Sequence, residues 1–229
     1  MSALWKQHIN TGLRFCILPA LALGLALKAC KAENSVRKPS TIDAKRLTAE
    51  NIRINGVLSG AYQISDRNGD HILVLTRKEG PSPVAPQSGR IEHIDLVAVY
   101  YLRVAKLQWK EEWIIRDASD CPSLDVDGNF FMPYVTFTDL NDDGIVEVTV
   151  PYRLTCAGAI EPSKIKIILR EGSTKLAIPG ESLVQINHAG VAPFGGEHTH
   201  DAALLKLGRA AYKQHLDAVW KKVQIEKRE

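Results

Sequence analysis

Asp139-Leu140-Asn141-Asp142-Asp143-Gly144-Ile145-Val146-Glu147 stands between two runs that read as strands, 130–138 before it and 145–152 after it. Side-chain oxygens fall at positions 1, 3, 5 and 9 of this loop, and Gly144 follows the third. Alternate oxygens that converge while a glycine takes the sharp turn are how a short loop wraps a hard cation. The expected ligand positions are Asp139, Asn141, Asp143, Ile145 and Glu147, and the expected cofactor is calcium at this one site. The loop is not an EF-hand, because the twelfth position, where that motif needs a bidentate Glu, is Val150. The competing reading is a plain Asp-Gly hairpin turn with solvated acids. In both readings strands flank a turn, and the chain belongs with the β-rich folds.

The strand pattern extends in both directions. Towards the N-terminus, Ile94, Leu96, Ala98, Tyr100, Leu102 and Val104 alternate onto one face of a long strand. After a tight turn, Leu107, Trp109, Trp113 and Ile115 share a face of the next strand, which makes a hairpin. Trp109 and Trp113 are a candidate platform for stacking sugars, although an aromatic stripe at period two is more often the core face of a sheet. Residues 117–129 read as an acidic, turn-rich loop. Past the organising loop, Pro151 cannot donate to a ladder, so its strand should end there or lie at an edge. Residues 164–170 and 175–178 form another hairpin. The period then changes: Leu205, Gly208, Tyr212, Leu216, Val219 and Val223 follow helical spacing, predicting an amphipathic helix over 201–223 capped by Thr199 or Asp201. The expected fold is mostly β to α+β. An antiparallel meander, a sandwich or a partial propeller-like sheet would carry that C-terminal helix.

The N-terminus reads as an export signal over 1–32. Residues 15–27 (FCILPALALGLAL) are almost unbroken apolar character, too short to span a bilayer comfortably. Leu27-Lys28-Ala29-Cys30 resembles a lipoprotein box with Cys30 as the lipidated residue, and cleavage after Ala32 is the competing reading. Both place the protein in the periplasm or at the cell surface, the first with a lipid anchor. Residues 33–50 read as a polar tether and 51–229 as a single β-rich domain. Removing the signal leaves Cys121 and Cys156, one even pair in a chain bound for an oxidising compartment, so a disulfide is expected. It would close a loop of about 35 residues, for which chain entropy suggests roughly 3–4 kcal/mol. From Glu33 onward, 25 of the chain's 29 basic residues face all 26 acidic ones. That balance gives no electrostatic footprint for nucleic acid.

Residues 64–72 echo 137–145: Asp66, Asn68 and Asp70 align with Asp139, Asn141 and Asp143, with Val74 where the second copy has Glu147. Such D-x-N-x-D turns between strands resemble the cation loops of FG-GAP-type propeller repeats. Two copies about 73 residues apart are too few for a full propeller. Glu197-His198-Thr199-His200-Asp201 carries two histidines at i, i+2 beside carboxylates, a pairing that suits zinc. No third distant ligand is evident from the sequence, and neutral filler at a helix start is the competing reading. The acids Asp117, Asp120, Asp125 and Asp127 admit a carboxylate hydrolase, but no spacing selects a pair.

The segments Tyr100-Tyr101-Leu102, 109–117 (WKEEWIIRD), Asp120-Cys121, 137–147 and Tyr152…Cys156 together resemble a bacterial family of surface polysaccharide biosynthesis proteins. Residues 175–180 (KLAIPG) resemble its next segment, with Pro179 in place of an expected Arg. The resemblance covers roughly 60–180 and implies an exported protein connected with cell-surface glycans. It lends no catalytic residues. The expectation is a non-enzymatic, calcium-stabilised protein of the periplasm or cell surface that binds a glycan or an envelope protein. The alternative is a carboxylate-based enzyme acting on surface polysaccharide.

Overall fold

A computed structural model describes residues 38–84, 90–122, 124–157, 161–188 and 190–228. The export signal, Cys30 and the first part of the expected tether lie outside them. The chain runs β1 (Ser40–Thr41), α1 (Ala44–Ala49), β2 (Val57–Asp66), β3 (Gly69–Gly80), β4 (His93–Ala105) and β5 (Gln108–Asp120). It continues through β6 (Asp125–Phe130), a 3-10 turn (Met132–Tyr134), β7 (Thr136–Thr138), β8 (Glu147–Ala157), β9 (Lys164–Glu171) and β10 (Thr174–Glu181). The last elements are β11 (Leu183–Ile186), β12 (Phe194–Gly195), a 3-10 turn (Ala202–Leu205), α2 (Ala210–Val223) and β13 (Ile225–Arg228). The fold is mostly β, as expected, with no closed sheet.

The first sheet is a meander in the order β1-β2-β3-β4-β5, and the second has the order β10-β9-β8-β6 with β7 also on β8. A small third sheet, β12-β11-β13, includes one parallel pairing. The two larger sheets face each other. Leu73 and Leu75 of β3, Ile94, Leu96 and Ala98 of β4 and Trp113 and Ile115 of β5 meet Val148, Val150, Tyr152 and Leu154 of β8 in one core. The outer face of the second sheet, through Ile165, Ile167, Leu169, Leu176 and Ile178, packs on Tyr212, Leu216, Val219 and Trp220 of α2. On the outer face of the first sheet, Ile72 and Val74 are covered by Leu47 and Ile52. Each fully buried aliphatic side chain of this kind contributes about 1.5–3 kcal/mol.

The disulfide Cys121–Cys156 is present, with Cα atoms 5.8 Å apart. It joins the end of β5 to the end of β8 and ties the two large sheets together. Among the described residues no helix is long and apolar enough to cross a membrane. The disulfide is consistent with an extracytoplasmic location.

Several local expectations are corrected. Residues 40–50 of the supposed tether are folded: Asp43 caps α1 by accepting from the Arg46 N–H, and Leu47 is fully buried. Composition hid this because one apolar residue per turn suffices to dock so short a helix. The strand expected over 130–138 is interrupted by the 3-10 turn containing Pro133, and the supposed loop over 117–129 contains the end of β5 and most of β6. Pro151 lies inside β8, a central strand. It sits where β8 changes partner from β7, paired up to Thr149, to β6, paired from Tyr152. A missing donor costs least where the ladder is already broken. The C-terminal helix begins at Ala210 rather than at 201, after Gly208 with φ of +79° turns the chain. Neither Thr199 nor Asp201 caps it; its first flanking residue, Arg209, makes no side-chain cap.

Candidate functional site

The two echoed turns dock on each other. The Arg67 N–H donates to the Gly144 carbonyl at 2.9 Å, and the Val146 N–H donates to Asp66 Oδ2 at 3.0 Å. Asp66 Oδ1 meets the Asn68 N–H at 2.7 Å and His71 Nε2 at 3.0 Å. Burial pushes the Asp66 carboxyl up, but His71 and the Val146 and Asn68 N–H groups outweigh burial and hold it below its ordinary value. Asp66 therefore acts as a strut between the turns. Both Asp66 oxygens of the 66–70 copy are thereby engaged, and the copy has Val74 where the other has Glu147.

The 139–147 loop is organised differently. Asp139 accepts from the N–H groups of Asp143 at 3.0 Å and Gly144 at 2.9 Å, and Asp143 Oδ1 accepts from the Ile145 N–H at 2.7 Å. Gly144, at φ of +77°, takes the turn expected of it. Asn141 Nδ2 reaches Asp143 Oδ2 at 3.2 Å and Glu171 Oε1 at 3.0 Å, which brings in a carboxylate that sequence spacing could not have indicated. Glu147 has no accessible surface. Its Oε2 accepts from the Leu140 N–H at 2.8 Å, whereas its Oε1 is buried without a hydrogen-bond partner. Burial pushes the Glu147 carboxyl up to about 6; Leu140 and the nearby Thr138 oppose the rise, while the charges of Glu171 and Asp139 add to it.

Trp109 and Trp113 do not form a platform. Tyr100 pairs with Trp113 but Tyr101 pairs with Glu111, so Glu112 is an extra residue in β5. A one-residue bulge sends the side chains beyond it to the opposite face. Trp113 is buried, stacked on Tyr100 at 4.8 Å, and Tyr100 is stacked in turn on His71 at 4.8 Å. Trp109 packs on the outer cluster with Arg103 over its ring at 4.3 Å and its Nε1 donating to Glu50. Neither offers a free ring face on a shared surface.

A cleft of about 320 Å³ lies where the core face of β9 and β10 meets β5, the last strand of the first sheet. Lys166, Arg170 and Lys175 line it together with Arg116 and Asp117 of β5 and with Asp201. Asp117 Oδ2 is occupied by Lys166 Nζ at 2.6 Å and by the Tyr152 hydroxyl at 3.0 Å, and Arg116 pairs with Asp95 at 3.3 Å. Arg170 Nε is buried without a hydrogen-bond partner, and burial lowers the guanidinium pKa.

The third cluster is at the C-terminal side. The extended segment 197–201 runs beside β10: the Glu181 N–H donates to the Glu197 carbonyl at 2.8 Å, the Thr199 N–H to Pro179 and the Asp201 N–H to Ala177, both at 3.0 Å. Gly180 permits this approach, since a Cβ there would strike the Glu197 carbonyl, the Trp220 ring and His198. His198 and His200, two residues apart, fall on one side of the segment. There they meet Asp217 of α2, and the ligand atoms of all three lie within 4.8 Å of one another. This group could hold a metal ion. Among the described residues no other three His, Cys, Asp or Glu side chains come so close, so the carboxylates of the 139–147 loop stand further apart. The sequence offered the two histidines; Asp217 went unseen because helical packing alone brings it there.

No protein-family model, no curated protein and no solved structure matches this chain.

Proposed function

We propose that this is an exported, non-enzymatic protein of the cell envelope that binds an acidic surface glycan in the cleft between β5 and β9–β10. The observation that carries the reading is the basic lining of the cleft: Arg170, whose guanidinium lies over the Trp113 ring at 5.6 Å, stands beside Lys175, and no carboxylate partner of either is found among the described residues. A uronate carboxylate or a phosphate is the kind of partner that two such cations, free of carboxylates, would recognise. Export is supported by the 1–32 signal pattern and by the disulfide, with Cys30 as the proposed lipid anchor point. The link to surface polysaccharide is supported by the family resemblance over 60–180. The carboxylate-enzyme alternative has less behind it. Asp117, Asp120 and Asp127 each have an oxygen engaged by a hydrogen bond or ion pair, and Glu147 has no surface for a substrate to reach.

Calcium in the 139–147 loop is the second part of the proposal. Its support is the unpartnered Glu147 Oε1, where a cation would replace the proton that burial now favours. Calcium–oxygen bonds of about 2.3–2.6 Å would require Asp139, Asp143 and Glu147 to draw together, so binding should tighten the loop.

Affinity electrophoresis through gels containing a polyuronate or a neutral dextran tests the glycan reading. The polyuronate should retard the wild type, and Arg170→Ala with Lys175→Ala should weaken retardation at least ~10-fold while leaving the thermal midpoint in place. Equal mobility in both gels would overturn it.

A further inference from the structure

We propose that His198, His200 and Asp217 form a binding site for a borderline divalent transition metal, of which zinc is the representative. The proposal is independent of the glycan reading and of the calcium loop. Two imidazoles and one carboxylate are donors that suit zinc, cobalt, nickel or copper rather than calcium or magnesium, which prefer sets made only of oxygens. The three ligands come from two separately anchored elements. His198 and His200 are held by the 197–201 segment, hydrogen-bonded along β10, and Asp217 by the middle of α2.

The surroundings place each ligand. His198 stacks on Trp220 of α2 at 4.6 Å, and Gly180 beneath leaves room for its backbone. His200 Nε2 is already 2.7 Å from Asp217 Oδ1. Lys213, one turn before Asp217, holds the other oxygen, Oδ2, at 2.6 Å, so Oδ1 is the oxygen left to ligate. Bonds of about 2.0–2.1 Å in tetrahedral geometry set ligand atoms roughly 3.3 Å apart. The ion would therefore push His200 and Asp217 slightly apart and draw His198 in. His198 is exposed, which leaves a fourth position open to water. Three protein ligands with one open position is the arrangement of a reactive or exchangeable zinc rather than a closed structural one. Bound metal would pin the 197–201 segment to α2, and Asp201 at the end of that segment lines the basic cleft.

The test is calorimetric titration of zinc into the chelator-stripped, disulfide-bonded protein. One zinc per chain is expected, with a Kd of about 10 µM or tighter, insensitive to millimolar calcium or magnesium. His200→Ala and Asp217→Asn should each weaken binding at least ~10-fold. His188→Ala, at an exposed histidine, and His93→Ala, beside Asp95 and Asp120, should leave it unchanged. Cobalt uptake by the unmutated protein gives a readout that needs no variant to fold, since ligation here should produce visible bands more intense than those of the aqueous ion. No uptake, uptake unaffected by His200→Ala and Asp217→Asn, loss on His93→Ala instead, or a spectrum like that of aqueous cobalt would overturn the assignment.

Discussion

Replacing Glu147 by Gln should stabilise the metal-free protein at pH 8 and abolish its response to calcium. Glu147 has no accessible surface, one oxygen without a partner, and a carboxyl pushed from 4.5 up to about 6 by burial. The folded chain thus holds this proton more tightly than the unfolded chain. The stability it contributes is fully present below about 4.5 and is lost as pH rises through about 6. Complete ionisation costs on the order of 2 kcal/mol, or about 4–8 °C in the midpoint of a chain this size. Gln keeps the shape and an acceptor for the Leu140 N–H but never ionises, so the variant should not show this loss between pH 4.5 and 8. Calcium binding only the native state should recover the loss in the wild type and do nothing for the variant. The assay is thermal unfolding by circular dichroism at pH 4.5, 6 and 8, with calcium and with chelator. A metal-free Gln variant no more stable than wild type at pH 8 would refute the buried-charge argument. A wild type insensitive to calcium would refute the cation and leave the loop a turn.

Replacing both Cys121 and Cys156 by Ser should cost about 3–4 kcal/mol, the entropy of reopening a 35-residue separation, read as a lower urea midpoint with a somewhat steeper slope because the unfolded chain expands. Gly180→Ala should cost about 2 kcal/mol and weaken any zinc binding, because its methyl must displace the Glu197 carbonyl and His198. Glu226, on β13, accepts from Ser182 Oγ at 2.6 Å and Ser163 Oγ at 2.7 Å and pairs with Arg228. Burial would raise its carboxyl, but these partners outweigh burial and bring it to about 2. Its contribution is present above about 4.5 and lost as pH falls through about 2. Glu226→Gln should therefore cost about 1–3 kcal/mol at pH 7 and flatten the acid limb of a stability-against-pH curve.

Residue order alone sufficed wherever the physics is local. Alternation at period two marked β4, β5 and β9, because each of these strands has a face turned to a core, and the turn after β9 marked β10 as its hairpin partner. Spacing at three and four marked α2, and Gly144 marked its turn. Parity identified the disulfide, since two cysteines remained once the signal was set aside. Tertiary structure decided what depends on pairing and on distance. A single extra residue at Glu112 sent Trp109 and Trp113 to opposite faces and removed the aromatic platform. Partner exchange along β8 made room for Pro151 in a central strand. The meeting of two sheets turned Lys166, Arg170 and Lys175 from one side of a hairpin into the lining of a cleft. Packing of α2 against the 197–201 segment supplied Asp217 to two histidines that had no visible third partner. A pattern along the chain reports which side of an element faces a core. It carries no information on which distant element arrives there, because that choice is made by the summed burial of many contacts.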